Sequence, residues 1–510
     1  MVQNAKTADS TAAASPFSGL GELEKRVLSY AATMGMEFEF SVLATAMEID
    51  EETLAESLER LVHRGTLKEL NYGDSYAFVR VVTLAHAYSD ISSSRVRVMH
   101  KRVAEAYEKL NPNPEPRVIP EMGRHFHLAR VHEKSFLYNR YAAMLAKDAF
   151  SPDVAIHHLD RAREDITALS GDHRLEESDL LKEMGEQYAA MGDDSRAYEL
   201  YGQSLEKIPE GEVTLRALLL LSRADAARRL DKIGLTRRYC EEVLQLLGKE
   251  GHKKVRAMAH LSLARAAYLE GSIDVARREV EAALCLFDPE RDAREVTRCY
   301  VIMGNNYSSI EDPVNQTKAI ECYKKAIQNM LPLHNYEGLA RVHNNIAVAL
   351  GIFHPREALN ELMEARACAV MSKNRRLIGW VLFNSVEILL ALGIEKDAAD
   401  NNAEARRILS AYNDLSGMQH VTFNEGIIAH HRKAYEESER AFLDSLRRAE
   451  YLDYHQIVVE VLIYMGTMYA DWGRIDDAIK AVTRIREIGE NNIHPANGPY
   501  YEKLKKRLGF

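Results

Sequence analysis

Asn345, Asn384 and Asn424 recur about 40 residues apart. An amide side chain that returns at a fixed interval can donate to a carbonyl and accept from an N–H at once, which is the chemistry needed to hold the backbone of an extended peptide with tolerance for its sequence. Four residues before them stand Arg341, Trp380 and His420, and Arg298 and Asn305 belong to the preceding copy. An arginine there can meet a carboxylate, while tryptophan or histidine offers apolar or stacking contact. Asparagine is about half a kcal/mol poorer than alanine in a helix, so three at one place point beyond mere solubility. The competing reading is a polar row that keeps an exposed face wet.

Other chemistries have weaker support. His125 and His127, His127 with His132, His157 and His158, and His430 and His431 invite a metal. None has the i, i+4 pair with a carboxylate of a helical zinc site, and adjacent residues on a helix point about 100° apart. No metal and no cofactor is expected. The five cysteines, Cys240, Cys285, Cys299, Cys322 and Cys368, occur singly and read as core side chains in a reducing compartment. There is no Gly-Xaa-Ser-Xaa-Gly elbow, no paired-carboxylate motif and no GxxxxGK(S/T) loop, so nothing positive supports an enzyme. Arg95, Arg97, Lys101 and Arg102 form the densest basic cluster, a patch for nucleic acid or a partner protein whose plainer reading is a solvated helix face.

The element that positions the asparagines is a helical repeat. A small residue is followed by Tyr or Leu three later, a small one near twelve, a bulky one near sixteen and a small one near nineteen. The fullest copy is Leu181, Met184, Gly185, Tyr188, Ala197, Tyr201, Ser204 and Pro209, which matches the tetratricopeptide pattern. Further copies centre on Ala264, Gly304 and Gly466, and weaker ones on Ala143, Ala227, Ala347, Val386 and Gly426. From Ala143 to Gly466, eight steps span 323 residues, about 40 each, against 34 in the standard repeat, so the helices are longer than usual. Counting Gly304, Ala347, Val386 and Gly426 as place eight puts Asn345, Asn384 and Asn424 at place six and Asn305 at place nine. Arg298, Arg341, Trp380 and His420 take place two. All lie on the first helix of their pair, the one expected to line a concave groove. Small residues at places eight and twenty should let the paired helices approach, with the bulky residue at place twenty-four filling the space between repeats.

Residues 1–19 hold no large apolar side chain before Phe17 and are expected to form a disordered tail. Residues 20–110 contain three stretches of helical spacing and then two strand-like runs, TLKEL and SYAFVRVV, around Asn-Tyr-Gly-Asp, which together predict a winged helix. The prolines of 111–117 predict an extended linker. An array of about nine repeats follows over 118–498, with a capping helix at 499–510. The fold class expected is all-α: a right-handed tetratricopeptide superhelix behind an N-terminal winged helix.

Charge and composition narrow the partners. The 510 residues carry 66 Lys+Arg against 76 Asp+Glu, a formal charge of -10, with no global attraction to phosphate. The third helix of the winged helix would open on Asp50, Glu51, Glu52 and Glu56, where a groove-entering helix needs to tolerate phosphates. Nucleic acid is therefore disfavoured as a partner. No apolar run approaches 18 residues and the N-terminus lacks the apolar core of a secretory signal, so a cytoplasmic chain with no membrane partner is expected.

The stretches LSYAATMGMEF and YAFVRVVTLAHAYSDISSSRVRVMHKRVAEAYE, followed by MGRHFHLARVHE, resemble the region after the nucleotide-binding module of signal-transduction ATPases with numerous domains, the maltose-regulon activator family among them. The matching landmarks are Leu28, Ala31, Gly35, Phe38, Leu61, Gly65, Phe78, Tyr88, Arg95, His100 and Ala104. Arg80 stands where that family usually has histidine, and the nucleotide-binding module is lacking. The resemblance implies a winged helix leading into long repeats, a regulatory or signalling role, and a separate ATPase as a partner. The groove asparagines are similar to those of peptide-sensing repeat regulators. The expected function is a non-enzymatic interaction and regulatory scaffold that holds an extended peptide or partner segment. The alternative is a DNA-binding transcriptional regulator with the repeats as ligand sensor.

Overall fold

Apolar residues spaced three and four apart over 22–63 fold as α1 (Glu22–Met34), α2 (Phe40–Met47) and α3 (Glu51–His63). The computed structural model describes residues 19–510 apart from 210, 250, 311–312, 352–353, 453 and 494–496, so the expected tail lies, except for Gly19, outside the described residues. Asp50 caps α3 by accepting from the Thr53 N–H at 2.9 Å, and α3 stops before Gly65, whose φ of 68° a side chain would resist. Strands β1 (Glu37–Glu39), β2 (Leu67–Leu70) and β3 (Ser75–Phe78) form an antiparallel sheet in the order β1-β3-β2. The hairpin of β2 and β3 was expected and β1 was not, three residues being too few to show a period of two.

The second strand was also expected to run on through Val82. It stops at Phe78, which pairs with Leu67, the first residue of β2; beyond that register no partner strand remains. The chain turns instead into α4 (Val81–Ser89), whose first turn is closed by Thr83 and Leu84 N–H groups on the Arg80 carbonyl. Two further helices, α5 (Ser93–Leu110) and α6 (Ile119–Leu128), flank the prolines. A single apolar core takes in Leu28, Leu43, Leu58 and Phe78 with Val103 of α5 and Met122 and Phe126 of α6. The prolines end α5 and reverse the chain, but they do not separate two cores, contrary to the boundary expected there. The chain divides into two compact units after Lys232.

The first unit continues with α7 (His132–Asp148) paired with α8 (Pro152–Ala168), α9 (Arg174–Ala190) with α10 (Asp194–Lys207), and then α11 (Val213–Arg229). The second opens on α12 (Ile233–Leu247). Six pairs follow: α13 (Lys253–Leu269) with α14 (Ile273–Leu286), α15 (Ala293–Ser308) with α16 (Pro313–Met330), α17 (Tyr336–Leu350) with α18 (Pro355–Met371), α19 (Arg375–Ala391) with α20 (Glu395–Ala411), α21 (Leu415–His431) with α22 (Tyr435–Tyr451), and α23 (His455–Trp472) with α24 (Ile475–Ile488). It closes on α25 (Gly498–Leu508).

Close approach within a pair is set by place eight. A Cβ on Gly185 would lie 2.7 Å from the Tyr201 ring, one on Gly304 2.5 Å from Tyr323, and one on Gly426 2.5 Å from Phe442. The bulky residue of place twenty-four therefore rests on the glycine of its own repeat, a closer role than the inter-repeat filling expected from sequence. At Gly466 the neighbour is Leu504 of α25, 2.7 Å from the would-be Cβ, so the closing helix supplies that contact for the last pair. Pairs built this way make a tetratricopeptide-like helical repeat.

Among the described residues, one buried amide in this stack has neither polar atom partnered. Both amide atoms of Asn306, on α15, lack a hydrogen bond, although the residue is 1% exposed. Leaving such a group unmet costs about 1–3 kcal/mol, whereas an apolar side chain of the same shape costs little. Asn306→Leu is expected to raise the unfolding free energy by about 1–2 kcal/mol, read as a higher urea midpoint with an unchanged slope; a lower midpoint would show that a bound water satisfies the amide.

Candidate functional site

The sequence-derived site falls on α15, α17, α19 and α21 of the second unit, the first helices of four successive pairs. Its asparagines form rungs between neighbouring helices. Asn345 Nδ2 donates to Asn305 Oδ1 at 3.1 Å, Asn384 Nδ2 to Asn344 Oδ1 at 3.0 Å, and Asn424 Nδ2 to the Phe383 carbonyl at 2.8 Å. Asn305 also accepts from the Tyr323 hydroxyl at 2.7 Å. The donors thus go to the preceding repeat, where the expectation had them meeting a ligand. Asn424 is buried outright, at 5% exposure, with its amide turned onto the α19 backbone. Asn345 and Asn384 are half-buried, and no protein donor reaches either Oδ1 among the described residues.

Place two is built differently in each repeat. Arg298 is exposed. Arg341 is exposed too and holds Glu337 at 2.9 Å. Trp380 donates its Nε1–H to Asp414 Oδ2 at 2.9 Å, the same oxygen that Arg376 reaches at 2.7 Å, while Asp414 Oδ1 caps α21 through the Gly417 N–H at 2.9 Å. These donors hold the Asp414 carboxyl below its usual range against the opposing effect of its burial. His420 lies flat on Phe383, with ring centres 5.1 Å apart and 8° between planes, and Trp380 packs against both. Burial pushes the His420 imidazole down to about 4, so it is neutral near pH 7. The structure therefore brings Trp380, Phe383, His420 and Asn384 together on one wall, with Arg298 and Arg341 toward the earlier repeats.

Two acidic residues at these same repeat places were passed over in sequence. Glu387 takes place nine on α19, as Asn305 does on α15, and Glu460 takes place two on α23, as Arg341 does on α17. Glu387 is open to water, yet burial raises its carboxyl to about 7, with the Glu460 charge adding to the effect. Extending the comparison of places to acidic residues would have found both.

The other expected patches are occupied by structural contacts. Lys101 lies 3.8 Å from Glu105 and Arg102 donates to the Tyr30 hydroxyl at 3.4 Å, leaving Arg95 and Arg97 exposed on α5. Asp50, Glu51, Glu52 and Glu56 are exposed along α3. His127 and His132 both meet Asp165 through Nδ1, at 3.0 and 2.8 Å, His158 meets Asn139 at 2.9 Å and His430 meets Asp471 at 2.9 Å. Among the described residues no group of three or more His, Cys, Asp or Glu is placed to hold a metal ion. Cys240, Cys299 and Cys322 are buried, Cys368 is half-buried and Cys285 is exposed; burial pushes the Cys299 thiol up to about 12, which suppresses the thiolate. No described helix is long and apolar enough to cross a membrane.

No protein-family model matches the chain, and no curated protein matches it. Solved structures do. Aspartyl phosphate phosphatase F from Bacillus subtilis is 14% identical, with 69% of this chain and 94% of that one covered at a TM-score of 0.48. A Rap protein complexed with competence and sporulation factor is 14% identical over 66% of this chain and 99% of that one, at 0.47. A signal-transduction ATPase with numerous domains and a tetratricopeptide repeat sensor, from Pyrococcus horikoshii, is 12% identical over 96% of this chain and 66% of that one, at 0.43. The repeat assignment itself stands on this chain's own packing, the glycine of place eight under a ring in α9/α10, α15/α16 and α21/α22.

Proposed function

We propose that this chain is a non-enzymatic interaction and regulatory scaffold whose repeats hold an extended peptide or partner segment along the groove lined by α15, α17, α19 and α21. The observation that carries the reading is the half-used amides: the Nδ2 groups of Asn345 and Asn384 are taken by the preceding helix, which orients each Oδ1 as an acceptor for a backbone N–H laid across it. Trp380 and His420 add an apolar surface beside them, and Trp380 is fixed by Asp414, so little side-chain freedom is lost on binding. The N-terminal helices with their three-stranded sheet we read as a winged helix, 20–110, that docks a protein, a separate ATPase being the partner its resemblance suggests. The carboxylates exposed along α3 speak against duplex DNA as its ligand.

The test compares wild type with Asn345→Ala/Asn384→Ala and with Trp380→Ala/His420→Ala in selection from a displayed peptide library, with circular dichroism confirming equal helicity. Peptides that bind wild type and lose about tenfold or more in affinity for both variants are the expected result. Selection of no peptide by the folded wild-type protein, or equal binding to all three proteins, would overturn the groove reading.

A further inference from the structure

Where α22 ends beside the start of α21, the second unit holds a cavity of about 320 Å³. It is lined by Leu415 of α21, by Asp444, Arg447, Arg448 and Tyr451 of α22, and by Leu452 just beyond that helix. The cavity opens among the turns that join one pair to the next, and it shares no lining residue with the asparagine wall. Its apolar rim stands in water: Leu415 is exposed, Tyr451 is 80% exposed, and Tyr412, in the turn before α21, is exposed as well. The charges of the lining do not balance. Arg448 Nε lies 2.9 Å from Asp444 Oδ2 and the Arg447 guanidinium 3.5 Å from Asp444 Oδ1, so two guanidiniums share one carboxylate. Neighbouring acids are engaged elsewhere, Asp414 by Arg376 and Trp380 and Glu450 by Arg484. Arg447, with its side chain 74% exposed, is the surplus cation.

We infer that this cavity anchors a partner protein through a segment carrying one large apolar side chain flanked by aspartate or glutamate. The two leucines and the Tyr451 ring take the apolar side chain, and the surplus guanidinium meets the acid beside it. Charge complementarity carries this choice of occupant. Tyrosine and arginine are also the side chains that most often dominate binding energy at protein interfaces. The volume lies at the small end of ligand pockets, about 300–1,000 Å³, which enclose most of their ligand. With Leu415, Arg447 and Tyr451 exposed, this one encloses a single side chain and leaves the rest of its occupant outside, as a segment crossing the edge of the unit would be. The inference does not rest on the groove reading. It gives the scaffold a second docking place, separate in its residues from the first.

The experiment selects ten-residue peptides from a displayed library on the full wild-type chain. Synthetic copies are then measured by fluorescence anisotropy on wild type, Arg447→Gln, Arg447→Glu, Tyr451→Ala and Asn345→Ala/Asn384→Ala. Arg447 and Tyr451 are exposed, so their variants should keep the wild-type circular dichroism; if one does not, the other carries the comparison. One class of peptides is expected to hold a large apolar residue beside Asp or Glu. Its binding should weaken about tenfold or more with Tyr451→Ala and about fivefold with Arg447→Gln, and be unchanged with the asparagine variant. Arg447→Glu should reverse the preference, favouring copies in which Lys replaces the acid. Selected peptides that all need the asparagines, with none weakened by Tyr451→Ala, overturn the edge site and leave the groove reading in place. Peptides that need Tyr451 but bind equally well when their acids are replaced by Gln overturn the acidic occupant. Selection of no peptide by wild type overturns both readings.

Discussion

Tyr323→Ala lowers the unfolding free energy by about 3–5 kcal/mol, the range for removing a large ring from a closed core. The ring is 1% exposed, lies on Gly304 of the same repeat, and gives its hydroxyl to Asn305, which also receives the next repeat through Asn345. Its loss therefore opens the pair α15/α16 and loosens the rung to α17. The sharper test is a sign change at Gly304. Helix propensity alone makes Gly304→Ala stabilising by about 1 kcal/mol. A methyl 2.5 Å from the Tyr323 ring costs about 1–3 kcal/mol, so in the wild-type background the substitution is destabilising or at best neutral. In the Tyr323→Ala background the obstacle is gone, and Gly304→Ala should stabilise by the full propensity difference. Urea titrations of the four proteins give the cycle; a Gly304→Ala effect of the same sign and size in both backgrounds would show that the ring does not set the approach of the two helices.

Acid is expected to weaken the first unit through two buried histidines. His100 Nδ1 and His125 Nδ1 are 2.7 Å apart, so one donates and the other accepts, and the pair is neutral. Around it stand Tyr88, whose hydroxyl is 3.2 Å from His100 Nε2, Arg124, whose guanidinium is 3.0 Å from His125 Nε2, and Glu121, 3.8 Å from that nitrogen. Burial, aided by the Arg124 charge, pushes His100 down to about 4 and holds His125 well below its ordinary value. A base whose folded pKa is depressed binds its proton in the unfolded chain first. The stability it allows is whole above about pH 6.5 and is lost as the pH falls from there toward 4. For His100 alone the loss between pH 7.5 and 5 is about 2 kcal/mol, and His125 contributes in the same direction. Urea midpoints at the two pH values, compared between wild type and His100→Gln/His125→Gln, check this: the variant should show the smaller fall, while His158 and His420, also pushed down by burial, act equally in both. An equal fall in the two proteins would show that the pair already carries a proton in the folded state.

This histidine pair also marks where reading the sequence stopped. His100 appeared as a family landmark and His125 as half of a false metal pair; that their rings meet across α5 and α6 depends on the prolines reversing the chain, a long-range event with no local signature. The same holds for Asn424. Its place in the repeat was legible, but its burial against the Phe383 carbonyl of α19 was not. Val81 and Val82 have strand propensity and became helix because the sheet had no further register to pair them. Glu387 and Glu460 were legible by place and were passed over because a lone acid on a helix is ordinarily a solvated one.

By itself the sequence determined most of the repeat helices and their pairing, since a period of 3.6 and a small residue at place eight are local patterns repeated about every 40 residues, whereas the rest of a ring on the glycine of its own repeat came only with the structure. The tertiary structure alone decided which atoms of the asparagine side chains are taken by protein partners. That depends on how closely neighbouring pairs stack, a distance set by the packing of one repeat on the next. The same distance turns three chemically equal asparagines into two half-open amides and one buried rung.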